Sequence, residues 1–421
     1  EEEEDGEERD DEEVKSTHTQ APPVALTQAQ ATAMLALNSL ELTDRGLLDL
    51  FAGLESWELD IFEVNDATGG RPLLPIALAL FERYDFVGSF GLDRAVVCSF
   101  FAAVEAGYHW GNPFHNNIHA ADVTQAVNHF FTYDSLGDFA SEFDHMVSVV
   151  AAAIHDYDHP GRTNNFLIAT KDTLALRYND RSVLENHHLA KAFEILWTPG
   201  TDMFSQLDTE VQTEARGTII TMVLATDLKL HFEELALFRS RVLGPDAAGV
   251  DAEKLDDRRL VLKMALHAAD LNASARRPQV ARKWLPRIMR EFFEQGDEER
   301  EMGLPISPFM DRFNPTVPKC QAGFIDFIVR PLFQAWVGFL HEFKGVALPY
   351  LDTNLELWKR LKEEEENELR PHLLYLDGSD FDWSPGQEEG RQYAGVGAGD
   401  AAADDAAREG DVVLDVGPGR S

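Results

Sequence analysis

VSVVAAAIHDYDHPG, residues 147–161, is the stretch that decides the fold. The run from Val147 to Ile154, apolar but for Ser148, is far shorter than the roughly 18 to 20 residues that cross a membrane, and it fits a buried helical segment. It then delivers an imidazole and a carboxylate side by side, His155 and Asp156. Burying either group alone is costly, so an apolar helix that ends by presenting both has placed two metal ligands at the edge of the core. Outward from this stretch, apolar residues keep recurring at three- and four-residue spacing, and alternating β-branched runs bounded by turns are scarce. That pattern predicts an all-α fold.

Toward the C-terminal side, Phe324, Phe327, Ile328, Leu332, Trp336, Phe339 and Leu340 are spaced as one apolar stripe on a helix, with Pro331 as a kink or break. No internal repeat or Gly/Ser linker interrupts residues 30–375, although 244–250 and 305–318 are loop-like, so one compact multi-helix domain is expected there. Residues 1–25, largely acidic, and 386–421, rich in Gly, Ala and Asp, read as disordered tails. Ser182 followed by Glu185 has the form of a capping box, which gives Glu185 a structural reading beside any functional one.

With 421 residues, 44% of them apolar, the chain can bury a large core. Its only cysteines, Cys98 and Cys320, are too few for a disulfide framework and point to a reducing compartment, the cytoplasm. A formal charge of −37 opposes nonspecific binding to nucleic acid or anionic lipid. The same charge repels a phosphate substrate unless bound divalent cations invert the local field. The chain opens at Glu1 without a signal-like apolar stretch, as a fragment would.

Four segments concentrate histidine and acid: His115-Asn116-Asn117-Ile118-His119 with Asp122, His155 to Gly161, Glu185-Asn186-His187-His188, and His267 to Asp270. His119 and Asp270, each beside an apolar helical stretch, are the natural partners of His155 and Asp156. The ligand order His, His-Asp, Asp is similar to that of the HD phosphohydrolase superfamily. Such ligands suit phosphoester hydrolysis, because two cations about 3.5 to 4 Å apart can share a hydroxide and offset charge on the phosphoryl oxygens. Two imidazoles and two carboxylates suit zinc, whereas an ion held by one bridging carboxylate and water suits magnesium or manganese. A departing sugar 3′-oxygen needs a proton donor, and His115, four residues before His119, would share its face on a helix.

Several stretches together resemble the class I cyclic nucleotide phosphodiesterases over roughly 110–345: FHNNIHAADV from Phe114, HDYDHPG from His155, YNDRSVLENHH from Tyr178, MVLATD from Met222, HAADL from His267, EFFEQGD from Glu291 and QAGFIDFIV from Gln321. The segments 178–188 and 292–312 look most like the calmodulin-stimulated branch. The resemblance implies hydrolysis of cyclic AMP, and of cyclic GMP as a second candidate, to the 5′-monophosphate. It implies His115 as general acid, and zinc on His119, His155, Asp156 and Asp270, with Asp156 bridging to magnesium. His159, Glu185, Thr226 and Asp227 would order water around the second ion, although Thr226 and Asn164 also suit ordinary helix ends. Gln321 and Phe324 would read and stack the purine, with Ile288 and Phe309 as apolar wall and Asn164 also in the pocket. The family further implies a small-molecule partner and is compatible with a homodimer.

Three positions depart from the usual pattern: Phe114 stands where tyrosine is common, Ala273 where Asn or His is common, and Ala281 where some cyclic-AMP-selective members carry tyrosine. These departures leave the metal chemistry intact and blur base selectivity. A nucleotide sensor without turnover would have lost a ligand or the acid. A polyphosphate hydrolase would crowd Lys and Arg around the ligands, and a structural metal site would be rich in Cys. None of these signatures is present.

Overall fold

The computed structural model describes residues 51–243 and 249–366, and among them there are helices and turns but no strand. The helices, in chain order, begin with α1 (Ile61–Ala67), α2 (Leu73–Arg83), α3 (Phe86–Phe90), α4 (Arg94–Gly107), α5 (Asn117–Phe131) and α6 (Asp134–Gly137). They continue with α7 (Glu142–Ile154), α8 (Asn164–Ala169), α9 (Thr173–Tyr178), α10 (Val183–Leu196), α11 (Thr209–Leu224) and α12 (His231–Val242). The last five are α13 (Leu255–Asp270), α14 (Pro278–Glu301), α15 (Val317–Phe324), α16 (Arg330–Phe339) and α17 (Ala347–Glu366). The all-α expectation holds. Both expected tails, and most of the 244–250 loop, lie outside the described residues. No helix among the described residues is long and apolar enough to cross a membrane.

Helix α5 is the axis of the fold and packs against α2, α7 and α13. From Asn117 to Phe130 every residue except Ile118 is buried, so its polar side chains must find partners inside the protein. Gln125 donates to the carbonyls of Leu54 (2.9 Å) and Ser56 (3.0 Å), and Asn128 donates to that of Leu54 (3.2 Å). Helix α7 starts in a true capping box, in which Ser141 and Asp144 cap each other's backbone. Its run from Met146 to Ile154 is wholly buried and packs on α5 and α11. The helix stops at Ile154, with His155 as C-cap, so His155 and Asp156 sit at the end of the apolar run, as expected.

Three local expectations need correction. Ser182 does not cap α10: it adopts φ 40°, makes no capping bond, and its hydroxyl donates to Asp227 Oδ2 at 2.8 Å. Glu185 is thereby freed from the capping box. His115 and His119 do not share a helix, because α5 begins at Asn117 with Asn116 as its cap, accepting from the Ile118 and His119 amides. The apolar stripe of 324–340 is broken by a π-turn over Ile325–Val329. Its wider i→i+5 bonding rotates the register, so Ile325 and Val329 are buried while Phe327 is 69% exposed. Leu332, Trp336 and Leu340 rejoin the core, and Pro331 follows directly on the π-turn, in the first turn of α16.

Candidate active site

Four ligand atoms converge where α5, α7 and α13 meet. His119 comes from the first turn of α5, His155 and Asp156 from the end of α7, and Asp270 from the last residue of α13. His119 Nε2 lies 3.0 Å from Asp270 Oδ1, 3.3 Å from His155 Nε2 and 3.5 Å from Asp156 Oδ2. His155 Nε2 lies 3.3 Å from both Asp156 Oδ2 and Asp270 Oδ1. An ion ~2.1 Å from each donor of a tetrahedron separates the donors by ~3.4 Å, and the spacings of this cluster match what such a shell would require.

The protonation pattern points the same way. His155 Nδ1 donates to the Ala152 carbonyl at 2.8 Å, which leaves a lone pair on Nε2 facing another ring nitrogen and two carboxylates. Four electron-pair donors in one buried spot repel each other unless a positive charge sits among them. Burial opposes charge on His155, but Asp156 and Asp270 hold its pKa well above the ordinary value. For Asp156, burial is outweighed by His155, which keeps the carboxyl well below the usual range. Protons thus occupy a site that a metal would take by displacing them.

Asp156 offers its second oxygen to a different neighbourhood. Its Oδ1 is 3.7 Å from His188 Nε2, and His159 completes a group of three potential ligands. His188 Nδ1 donates to the Tyr157 carbonyl at 2.6 Å, so its Nε2 carries a lone pair. His159 Nδ1 accepts from the Gly161 amide at 2.9 Å, so its proton is on Nε2. A single carboxylate therefore faces two separate groups of donors.

His115 is held in the turn before α5 rather than on it. Its Nδ1 meets Glu291 Oε2 at 2.5 Å, while Glu291 Oε1 accepts the backbone amides of Phe114 and His115, both at 2.7 Å. The His115 ring stacks on His159 at 4.0 Å and lies 5.9 Å from the His119 ring, so a proton donor stands beside the cage. Burial opposes its charge, but Glu291 first and the cage carboxylates next lift its pKa to about 9. Phe114 packs on both histidines and on Trp284, filling with an apolar ring the position where a tyrosine hydroxyl was missed.

Sequence reading missed Glu291 as a partner of His115, and it missed Asn112, whose amide donates to the carbonyls of His115 (2.9 Å) and His159 (2.7 Å). The signal for Glu291 was its helical phase, since it follows Trp284 and Ile288 on one face of α14. Among the remaining expected site residues, Glu185 is near enough to Asp156 to feel its charge. Glu185 accepts from Asn164 Nδ2 at 3.0 and 3.2 Å, and Asn164 Oδ1 accepts from the Leu184 amide. Burial, and then the charge of Asp227, push the Glu185 carboxyl up to about 8. Thr226 donates to the Val223 carbonyl, a helix-end role, and Asp227 caps the turn that follows it.

Gln321 and Phe324 sit on α15, half-buried, and Ile288 lies one turn before Glu291 on α14. Phe309 is 42% exposed with φ 67°, in the left-handed region that a bulky residue seldom occupies. Its loop is pinned to α14. Glu299 accepts from the Ser307 amide (2.6 Å) and hydroxyl (2.7 Å), and Gly296 lies so close to Met310 that a Cβ there would overlap its carbonyl oxygen.

Comparison with known proteins bears on this geometry. Residues 114–349 match the family described as 3′5′-cyclic nucleotide phosphodiesterase. The chain is 37% identical over 352 residues to 3′,5′-cyclic-AMP phosphodiesterase 4C of Rattus norvegicus, covering 82% of this chain and 63% of that protein. It is 38% identical over 315 residues to 3′,5′-cyclic-AMP phosphodiesterase, isoform F, of Drosophila melanogaster, covering 74% of this chain and 48% of the other. The chain thus spans from about a quarter to just under two thirds of the length of the curated relatives it matches. The phosphodiesterase domain of the RhoPDE fusion protein from the choanoflagellate Salpingoeca rosetta superposes with a TM-score of 0.69 at 32% identity, over 75% of this chain and 97% of that one. These relatives carry cyclic-AMP names, and the expected likeness to the calmodulin-stimulated branch finds no support among them.

Proposed function

Because this chain belongs to the 3′,5′-cyclic nucleotide phosphodiesterase family, we propose that it hydrolyses cyclic AMP, with cyclic GMP as a second substrate, to the 5′-monophosphate. The observation that carries this reading is the cage of His119, His155, Asp156 and Asp270 with a charged imidazole beside it. His119, His155, Asp156 and Asp270 would suit zinc, and Asp156, whose other oxygen faces His159 and His188, would also serve magnesium or manganese. Bound there, the cations would supply a water that ionises near neutral pH and would offset the charge of the phosphate oxygens.

The chain's own residues do the rest. As the water oxygen bonds to phosphorus, the P–O3′ bond opposite it breaks, and His115 Nε2 gives its proton to O3′. Glu291 holds Nδ1, which aims Nε2 and keeps the ring charged at neutral pH. Gln321, Phe324, Ile288 and Phe309 bind the purine. The free thiols Cys98 and Cys320 support a cytoplasmic setting. The test is incubation of the purified chain with magnesium and an equal mixture of cyclic AMP and cyclic GMP, with and without chelator. Chelator-sensitive release of AMP is expected, with GMP released more slowly, and intact cyclic nucleotides would overturn the assignment.

Glu291→Gln should show what the carboxylate does. An acid works only while protonated, so activity falls as pH rises through the pKa of His115. Removing the charge that raises that pKa should move the alkaline limb of the pH–rate profile to lower pH, with zinc content unchanged. An unmoved limb would separate Glu291 from the acid.

Gly296→Ala tests the purine wall. The new methyl must displace the Met310 backbone and Phe309 with it, at a cost of about 1 to 3 kcal/mol in stability. KM for cyclic AMP should rise several-fold while kcat at saturation and metal content stay near the parent's. A fall in kcat alone would contradict Phe309's place in the pocket.

A further inference from the structure

Arg276 is fully buried, and its guanidinium joins three parts of the chain that meet behind the cage. Its Nη2 donates to Asp122 Oδ1 at 2.6 Å and to Gln125 Oε1 at 2.8 Å, its Nη1 to the Trp57 carbonyl at 3.0 Å, and its Nε to Asn272 Oδ1 at 3.1 Å. The plane lies 4.4 Å over the Trp57 ring, and the Trp57 indole donates to the Ala275 carbonyl at 2.9 Å. Asn354 clamps the same turn from α17 by donating to the carbonyls of Ser274 (2.9 Å) and Arg276 (3.0 Å).

The placement of the two ends matters. Asp122 is one turn after His119 on α5, and Asn272 is two residues after Asp270, in the turn that leaves α13. Asn272 also donates to the Ala269 carbonyl at 2.6 Å, next to the ligand itself. A buried ion pair is an inefficient way to stabilise a core, because desolvation cancels much of the attraction and apolar residues of similar size often do as well. What it does well is fix a geometry, since a planar fork with a single set of acceptors tolerates little shift. A metal shell needs its donors placed to within ~0.2 Å.

We propose that the Asp122–Arg276 pair is a positioning device for the metal centre, setting the separation of His119 and Asp270. The proposal rests on the metal reading of the cage. Removing the pair's charge loosens the alignment of the two ligands, and the effect falls on metal affinity beyond any loss of fold stability.

The test compares the parent, Asp122→Asn, Arg276→Lys, and Leu136→Ala, a buried core truncation away from the cage. For each, zinc affinity is read by competition with a chromogenic chelator, and the melting temperature is read in excess chelator. Asp122→Asn should weaken zinc by about 10- to 100-fold, the scale of lost outer-shell partners. Arg276→Lys, which keeps the charge but not the planar fork, should weaken zinc by less, and the Leu136 variant should melt lower with unchanged zinc affinity. If Asp122→Asn fails to fold, Arg276→Lys alone must still weaken zinc. Parent-like zinc affinity in both variants, or an equal loss in the Leu136 control, overturns the proposal and leaves the metal reading standing. A parent that binds no zinc overturns the metal reading itself.

Discussion

Asp270→Ala is expected to leave the protein without its cation and without turnover at the same time. Asp270 Oδ1 is the atom nearest to His119 Nε2 and is equally near to His155 Nε2 as Asp156 is, so it closes the cage. Four-ligand zinc sites are worth about 10 to 16 kcal/mol, so losing a carboxylate from the set removes ~3 kcal/mol or more, a fall of roughly 10²-fold or greater in affinity. Metal per chain by atomic emission and cyclic AMP hydrolysis should drop together, and zinc added in excess should restore only part of the rate. The change should be tolerable to the fold, because it removes a buried charge whose only close partners are the imidazoles of His119 and His155. A variant that keeps both metal and rate would remove Asp270 from the ligand set.

His115→Ala should separate the two losses. Metal should stay, because His115 belongs to none of the four cage positions, while kcat should fall by ~10²- to 10⁴-fold, the usual worth of a general acid. Glu291 keeps the Phe114 and residue-115 amides as partners, so the fold should lose only about 1 to 3 kcal/mol. A sharper reading comes from cyclic AMP carrying sulfur in place of O3′, since a thiolate leaves without a proton. Parent and variant should cleave that compound at similar rates, whereas an undiminished gap between them would give His115 some other task.

The cage was legible in the sequence because its residues are out of place there: an imidazole and a carboxylate directly after the wholly apolar end of α7, and an Asp closing the apolar run of α13. Glu291 was hard to read for the opposite reason. It lies in a stretch with Glu294, Asp297, Glu298 and Glu299, which reads as a solvated face, and its helical phase with Trp284 and Ile288 was the one sign that it would be buried. Spacing also misled where the backbone is irregular. The four-residue step from His115 to His119 spans a helix start, Ser182 adopts a left-handed conformation and its hydroxyl donates to Asp227, and the π-turn before Pro331 turns Phe327 outward. In each case the local backbone did not follow the expected period, and the side chain was carried to a different partner or to solvent.

Position of bond cleavage is the most direct test of the central claim, that water opens the cyclic phosphate at O3′ in a cation-dependent site. Cyclic AMP should be hydrolysed by the purified chain in ¹⁸O-enriched water with magnesium, and the product examined by mass spectrometry and ³¹P NMR. One ¹⁸O on the phosphate of 5′-AMP, none on the ribose, and no product in chelator are predicted. Label at the ribose, release of 3′-AMP, or undiminished turnover after complete metal removal would contradict the account.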